Sequence, residues 1–190
     1  YIREILLYKY RMLGRKVEDL EELPEMGRGM QRKVTDVLIK FILVTCSNYP
    51  DLYALASIKA GNHALEYGST EMAPIGYIGF AIAAGSVLGN YARGYELGKV
   101  AISVLDKHGT SFTKCIVYFT FGAIINHWTR HLKEGFPYLY KAIDYALRGG
   151  EVLVAGWARG SILEHKYLLG APLTEVLEEA GKCAEYGDKV

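Results

Sequence analysis

Glycine recurs at nearly fixed intervals along this 190-residue chain. Gly68, Gly109, Gly149 and Gly187 each follow a run of helical spacing, and the intervals between them are 41, 40 and 38 residues. Fixed spacing in this range is typical of stacked helical repeats. The pattern predicts a solenoid built from copies of one unit, rather than a sheet or a bundle around a single centre.

The apolar pattern recurs in the same register as the glycines. From residue 91, apolar or small residues follow one helix face, at Tyr91, Gly94, Tyr95, Gly98, Ala101, Ile102 and Leu105. Forty-one residues later the same face returns, as Leu132, Gly135, Phe136, Leu139, Ala142, Ile143 and Ala146. Each unit is therefore predicted to hold a nearly uncharged inner helix followed by an amphipathic outer helix.

This register predicts the helices of the whole chain. Inner helices are expected near residues 31–47, 71–89, 111–131 and 151–169, and outer helices near 51–67, 91–107, 135–148 and 172–187. The predicted fold is all-α, a right-handed α-α superhelix of about four hairpins with a period of 38–41 residues. Residues 1–30 should form a leading helix and an acidic linker, and residues 31–190 a single repeat domain. Because the first residue is Tyr1, we expect the chain to be part of a longer protein.

Composition excludes several classes of partner. The 22 Lys and Arg residues balance 21 Asp and Glu residues and are scattered among them, which argues against nucleic-acid binding. Residues 72–92 carry no formal charge but contain Pro74 and four glycines, so we predict no membrane span. The three cysteines, Cys46, Cys115 and Cys183, are too few and too widely spaced for a disulfide framework, which favours the cytoplasm.

One cluster has metal-ligand spacing. His127 and His131 lie four residues apart and Glu134 follows by three, so the three side chains could converge on one helix face. The other interpretation is a structural role at a helix end. No second His or Cys pair has matching spacing, so we predict no metal, no cofactor and no catalytic residue.

Aromatic residues supply the candidate interaction surface. The chain has 15 tyrosines and two tryptophans, which suit both helix packing and recognition. Several tyrosines fall on the repeating stripe and should pack. The residues predicted to be available for binding are Tyr77, Tyr140, Tyr167, Trp128 and Trp157.

Several segments together resemble a known kind of signalling region. They are LEELPEM (20–26), ALEYGS (64–69), GNYARGYELGK (89–99) and HWTRHL (127–132). They resemble the helical-repeat region that follows the STAND-type, AAA-related ATPase module of large bacterial signalling kinases with GAF and PAS modules. Residues 89–94 also look like the core of a tetratricopeptide repeat (TPR). The resemblance implies a TPR-like scaffold or sensor without catalytic residues, with ATPase or kinase activity elsewhere in the parent.

Two functions from different classes follow. The leading hypothesis is a scaffold that binds a protein partner, or a neighbouring module of its own chain, through a concave face. Exposed apolar ends of such a solenoid would also allow dimerisation. The alternative is a domain that binds a small-molecule effector in an enclosed cavity lined by Tyr and Trp between inner helices. An enzyme acting through His127, His131 and Glu134 is a third, weaker hypothesis.

Overall fold

The computed structural model describes residues 2–46 and 48–189, the latter without the side chain of residue 108. Within these residues the fold is all-α, as predicted, and there is no strand. The helices are α1 (Ile2–Arg11), α2 (Met30–Thr45), α3 (Pro50–Tyr67), α4 (Ala73–Ile82), α5 (Tyr91–His108), α6 (Ser111–Thr120), α7 (Phe136–Gly149), α8 (Val152–Leu168) and α9 (Leu173–Gly187). Position 47, the end of the first predicted inner helix, lies outside the described residues.

Helices occur in the predicted order, with α2, α4, α6 and α8 at the positions predicted for inner helices and α3, α5, α7 and α9 at those predicted for outer helices. The outer helices α3, α5, α7 and α9 begin at residues 50, 91, 136 and 173, so that successive starts are 41, 45 and 37 residues apart. Gly68 and Gly109 cap α3 and α5, while Gly149 and Gly187 are the last residues of α7 and α9. The helix ends predicted from glycine are therefore confirmed.

The chain divides into two compact units, Tyr1–Gly109 and Thr110–Val190. In unit 1, α3 and α4 approach closely because glycines leave room between them. A Cβ atom on Gly79 would lie 2.5 Å from Ser57 Oγ, and one on Gly76 would lie 3.2 Å from Ala60 Cβ. Together with packing against α2 and α5, this approach buries every residue from Ala73 to Ala81.

Residues 2–29, here called the leader, belong to unit 1. Met12, Val17, Leu20 and Met26 of the leader are all buried. The backbone N–H of Met26 donates to Ser69 O at 2.7 Å, and Ser69 N–H donates to Pro24 O at 2.8 Å. The leader is thus joined to the turn before α4. The predicted boundary near residue 30 and the single domain over 31–190 stay predictions.

In unit 2, α6 begins at a threonine cap. The Thr110 hydroxyl accepts a hydrogen bond from Thr113 N–H at 3.2 Å. After Thr120 the helix continues as a π-turn, Phe121–Ile125, which parallels the π-turn Ala83–Val87 after α4. The predicted inner helix 111–131 is therefore too long, because the chain turns away after a short 3-10 segment, Asn126–Trp128.

A second close approach holds this turn in place. A Cβ atom on Gly135 would lie 2.6 Å from Gly122 O, so the two backbones meet directly. Buried Asn126 donates from Nδ2 to His131 O at 3.3 Å. Across residues 2–46 and 48–189, no helix combines the length and the apolar character needed to cross a bilayer.

Candidate interaction surface

The inner helices of unit 2 present a partly exposed apolar face. On α6, Phe112, Ile116 and Phe119 are half-buried and share one side by helical spacing. On α8, Leu153 and Trp157 are 58% and 48% exposed. We call these five residues the α6–α8 face.

The α6–α8 face follows the repeat. Leu153 and Trp157 stand 41 residues after Phe112 and Ile116, and Gly160 stands 41 after Phe119. The rings of Phe119 and Trp157 lie 5.9 Å apart between centroids, with 34° between their planes. The two helices therefore contribute equivalent positions to one apolar surface.

A buried layer supports this surface. Ile116 and Phe119 pack against a core cluster of Cys115, Ala146, Val154 and Ala155. Burial raises the pKa of the Cys115 thiol to about 11, so this cysteine remains a neutral thiol and acts as a core residue. The surface aromatics are held on a packed base rather than on a loop, which favours recognition by a preformed surface.

The five aromatic residues predicted for binding differ in exposure and position. Trp157 belongs to the α6–α8 face, and Tyr167, which is 63% exposed, lies on the same side of α8, fourteen residues after Leu153. Tyr140 is 55% exposed but faces a different side. It interacts electrostatically with Lys166 of α8. Lys166 lies nine residues, or two and a half turns, after Trp157, and therefore on the opposite side of α8.

The other two residues predicted for binding, Trp128 and Tyr77, are not among the exposed residues. Trp128 is half-buried in the 3-10 segment after α6. The prediction that Tyr77 is exposed is wrong, because its side chain is only 1% exposed within α4. All residues around it on α4 are also buried, so a uniformly apolar helix here marks a core element rather than a groove.

The histidine cluster does not assemble as a metal site. His127 lies in the 3-10 segment, whereas His131 caps the next 3-10 turn, Leu132–Gly135, and its Nδ1 accepts from Lys133 N–H at 3.2 Å. The single helix face on which His127, His131 and Glu134 were expected to converge is therefore not formed, because the helix ends before His131. In the part of the chain that the structure describes, no group of three or more His, Cys, Asp or Glu side chains could hold a metal ion.

His127 instead lies beside His165 of α8, with 6.3 Å between ring centroids. His165 is 4% exposed, and its Nδ1 atom has no hydrogen-bond partner among the described residues. Burial, and then the nearby His127, lower the pKa of His165. Its ring is therefore held in the neutral form.

Several grooves lie on the surface of unit 1, and two neighbouring ones share Glu21. One of about 520 Å³ runs between the leader and α5, and a neighbouring one is about 370 Å³. The larger is lined by Glu18, Glu21, Tyr95, Glu96, Lys99, Val100, Ile102, Ser103 and Asp106. Four carboxylates and a single tyrosine make this lining unlike the Tyr- and Trp-lined cavity expected for the effector hypothesis.

Comparison with known proteins gives one signalling relative. Over 98 residues, 51% of its length, the chain is 28% identical to hybrid signal transduction histidine kinase G of Dictyostelium discoideum. The chain spans about 3% of the length of that protein. No family model matches the chain. No solved structure matches it either.

Sequence reasoning missed most of the α6–α8 face. The predicted inner helices 111–131 and 151–169 contain four of its residues, but the prediction assigns no exposure to them; these are Phe112, Ile116, Phe119 and Leu153. The repeat itself held the signal, because the spacing of 41 aligns Phe112 with Leu153 and Ile116 with Trp157. What it did not show is which face of each inner helix remains uncovered.

Proposed function

We propose that this chain is a non-catalytic, helical-repeat scaffold or sensor segment of a signal-transduction protein. The match to a signalling histidine kinase over half of the chain supports the context. We further propose a TPR-like, right-handed superhelix as the architecture and the cytoplasm as the location. The repeated helix pairs support a helical-repeat architecture, and the small share of the relative that is covered supports a role inside a larger polypeptide.

The α6–α8 face is the proposed binding surface. The observation that carries this proposal is the exposure of Trp157 and Leu153 at positions that repeat those of Ile116 and Phe112 on the adjacent inner helix. Aromatic residues on a rigid base contribute much of the free energy of binding at protein interfaces. The partner is a protein segment with apolar side chains, supplied by another protein or by a neighbouring module of the parent.

A photo-crosslinking experiment tests this proposal. p-Benzoylphenylalanine is placed at Trp157 in the full-length parent protein, in its own cells, and crosslinked products are identified by mass spectrometry. Tyr140 is the matched control, since it is an aromatic of similar exposure in the same unit but faces another side.

We expect a specific peptide crosslink at 157, from a second protein or from a distant part of the parent, and a much weaker one at 140. Equal crosslinking at the two positions, or none at 157, would contradict the proposal. A Trp157→Ala variant should lose signalling output while its helical content, measured by circular dichroism, is unchanged.

The effector-binding alternative makes a different prediction. It requires an enclosed cavity with Tyr and Trp in its wall, whereas the groove between the leader and α5 has four carboxylates, one tyrosine and no tryptophan in its lining and belongs to unit 1. No observation in unit 2 favours it over the binding of a protein segment.

A further inference from the structure

A glycine borders the α6–α8 face without a packing role among the described residues. Gly160 is exposed in the middle of α8, and a Cβ atom built on it would meet nothing within 4 Å. At Gly79 and Gly135, in contrast, a Cβ atom would clash with a neighbour. Glycine makes the interior of a helix less stable than alanine does, so α8 loses stability here without gaining a contact. Since no neighbour fills the space above Gly160, a side chain of a partner can enter it.

Large aromatic side chains border this open space. Trp157 precedes Gly160 by three residues and Tyr167 follows it by seven, so the three positions share one side of α8. Phe119 of α6 stands 41 residues before Gly160, and its ring lies 5.9 Å from the ring of Trp157 between centroids. We call the space above Gly160 the Gly160 notch. A gap between aromatic side chains on a rigid helix suits one bulky apolar side chain of a partner.

A carboxylate stands beside the Gly160 notch. Glu164 follows Gly160 by four residues and is exposed on the same side of α8. Because the Cα–Cβ bonds of a helix tilt toward its N-terminus, the side chain of Glu164 starts out toward Gly160. Glu164 interacts electrostatically with His165, whose buried ring is neutral, and forms no ion pair with a residue that the structure describes. Its carboxylate is therefore available to a cation of the partner.

The lysines and the arginine of α6 and α8 lie on other sides of these helices. Lys114 lies over a tyrosine ring of α7, Arg159 lies over a tyrosine ring of α9, and Lys166 pairs with a glutamate of α9. Along the described part of α6 and α8, the side with the aromatic rings thus carries the negative charge of Glu164 without a positive one. Charge complementarity favours a partner that brings a cation to this place.

We propose that the Gly160 notch binds a peptide segment that carries one bulky apolar side chain and, close to it, a lysine or arginine. The apolar side chain enters the notch, and the cation pairs with Glu164. About 6 Å of helix rise separates Gly160 from Glu164, so the two groups of the partner lie within four residues of each other in its sequence. This inference rests on the proposed function, because it specifies the chemistry of the partner of the α6–α8 face.

Peptide selection with the complete chain tests the proposal. The probe is a phage-displayed library of random dodecapeptides, and the selected peptides should share a large apolar residue with Lys or Arg within four positions. Binding of the best peptide, measured by fluorescence anisotropy, should weaken as the salt concentration rises. A selection that enriches no peptide, or only peptides without a cation, would overturn the proposal.

Filling the Gly160 notch should weaken binding without harming the fold. Gly160→Leu puts a side chain where that of the partner would enter, and we expect the association constant to fall by more than about tenfold. The melting temperature should not fall, because leucine favours a helix more than glycine does. Gly181→Leu is the matched control, since Gly181 is likewise exposed inside a helix with nothing within 4 Å, but on α9. It should bind the peptide as the wild type does.

Charge exchange at Glu164 tests the pairing with the cation. Glu164→Lys should lower the association constant of the selected peptide by about tenfold. The same variant should bind more tightly than the wild type to a peptide whose cation is replaced by glutamate. Glu185→Lys makes the same charge change at an exposed position of α9 and should leave binding unchanged. Equal losses in Glu164→Lys and Glu185→Lys would contradict a specific pairing.

Trp157→Ala distinguishes a failure of this inference from a failure of the proposed function. If the selected peptide loses affinity for Trp157→Ala but not for Gly160→Leu, the α6–α8 face remains the binding surface and the role of the Gly160 notch is wrong. If Trp157→Ala binds as the wild type does, the peptide binds elsewhere, which contradicts both proposals. Circular dichroism and the melting temperature establish that each variant is folded.

Discussion

Units 1 and 2 place an inner helix in two different environments. In unit 1, α4 is buried from Ala73 to Ala81. In unit 2, α8 exposes Leu153, Trp157 and Tyr167 by about half or more. Both helices occupy the inner position of the same repeat, so the repeat pattern alone does not set exposure. The neighbours of each helix decide whether it becomes core or surface.

The leader accounts for part of this difference. The ring of Tyr8 in α1 contacts Phe80 of α4 edge-on, with 4.4 Å between centroids. Pro24 and Met26 hold the turn before α4 through the two backbone hydrogen bonds to Ser69. In unit 2 the chain enters α6 directly from its cap, Thr110. Unit 1 therefore has an additional layer that unit 2 lacks among its described residues.

The largest expected effect is the difference in lost stability between alanine substitutions at Tyr77 and at Trp157. Tyr77→Ala should lower the free energy of unfolding by about 3–5 kcal/mol, because removing a buried ring leaves a cavity in α4. Trp157→Ala should cost only about 1 kcal/mol, since half of that side chain is already in solvent. Urea denaturation of both variants measures the difference. Similar losses would show that Trp157 is a core residue and would contradict the comparison.

Glycine substitutions should have the next largest effect on the free energy of unfolding, and each should destabilise only the unit that contains it. Gly68 has φ +100°, and its Cβ would lie 2.4 Å from Pro24 O, so Gly68→Ala should destabilise unit 1 by about 3 kcal/mol. Gly135→Ala should destabilise unit 2 by about 2 kcal/mol through the contact with Gly122.

Hydrogen exchange shows where protection is lost. We expect faster exchange mainly in the unit that carries the substitution, and equal acceleration in both units would contradict this. Gly160→Ala is the control: with open space around a new Cβ, it should instead stabilise by about 0.5–1 kcal/mol.

The smallest effect concerns acid stability. Burial lowers the pKa of His165 in the folded state, so the unfolded chain takes up the proton first as the pH falls. The contribution of His165 to the free energy of unfolding is fully present above the ordinary pKa of histidine. It should be lost as the pH falls from that value toward the lower pKa of His165 in the folded protein. His63 of unit 1 should act in the same direction, since burial lowers its pKa too.

Denaturation between pH 7 and pH 5 measures this slope. His165→Gln removes one titrating group and should make the curve shallower. A slope that is the same in wild type and His165→Gln would show that His165 does not contribute.

The sequence supplied the helices more reliably than the surfaces. The helix ends at Gly68 and Gly109 were predicted from local chemistry, since glycine ends helices. The π-turns after α4 and α6 were missed, because a shift to i→i+5 bonding has no local residue signature of this kind.

What the sequence determined by itself is the alternation of helices and their all-α class, because helix length, capping and apolar periodicity are properties of neighbouring residues. The exposure of particular side chains was decided only in the tertiary structure. Tyr77 and Trp157 both belong to inner helices, yet one is buried and the other half exposed. Burial depends on contacts from segments distant in sequence, such as the leader on α4, and a local pattern carries no information about those contacts.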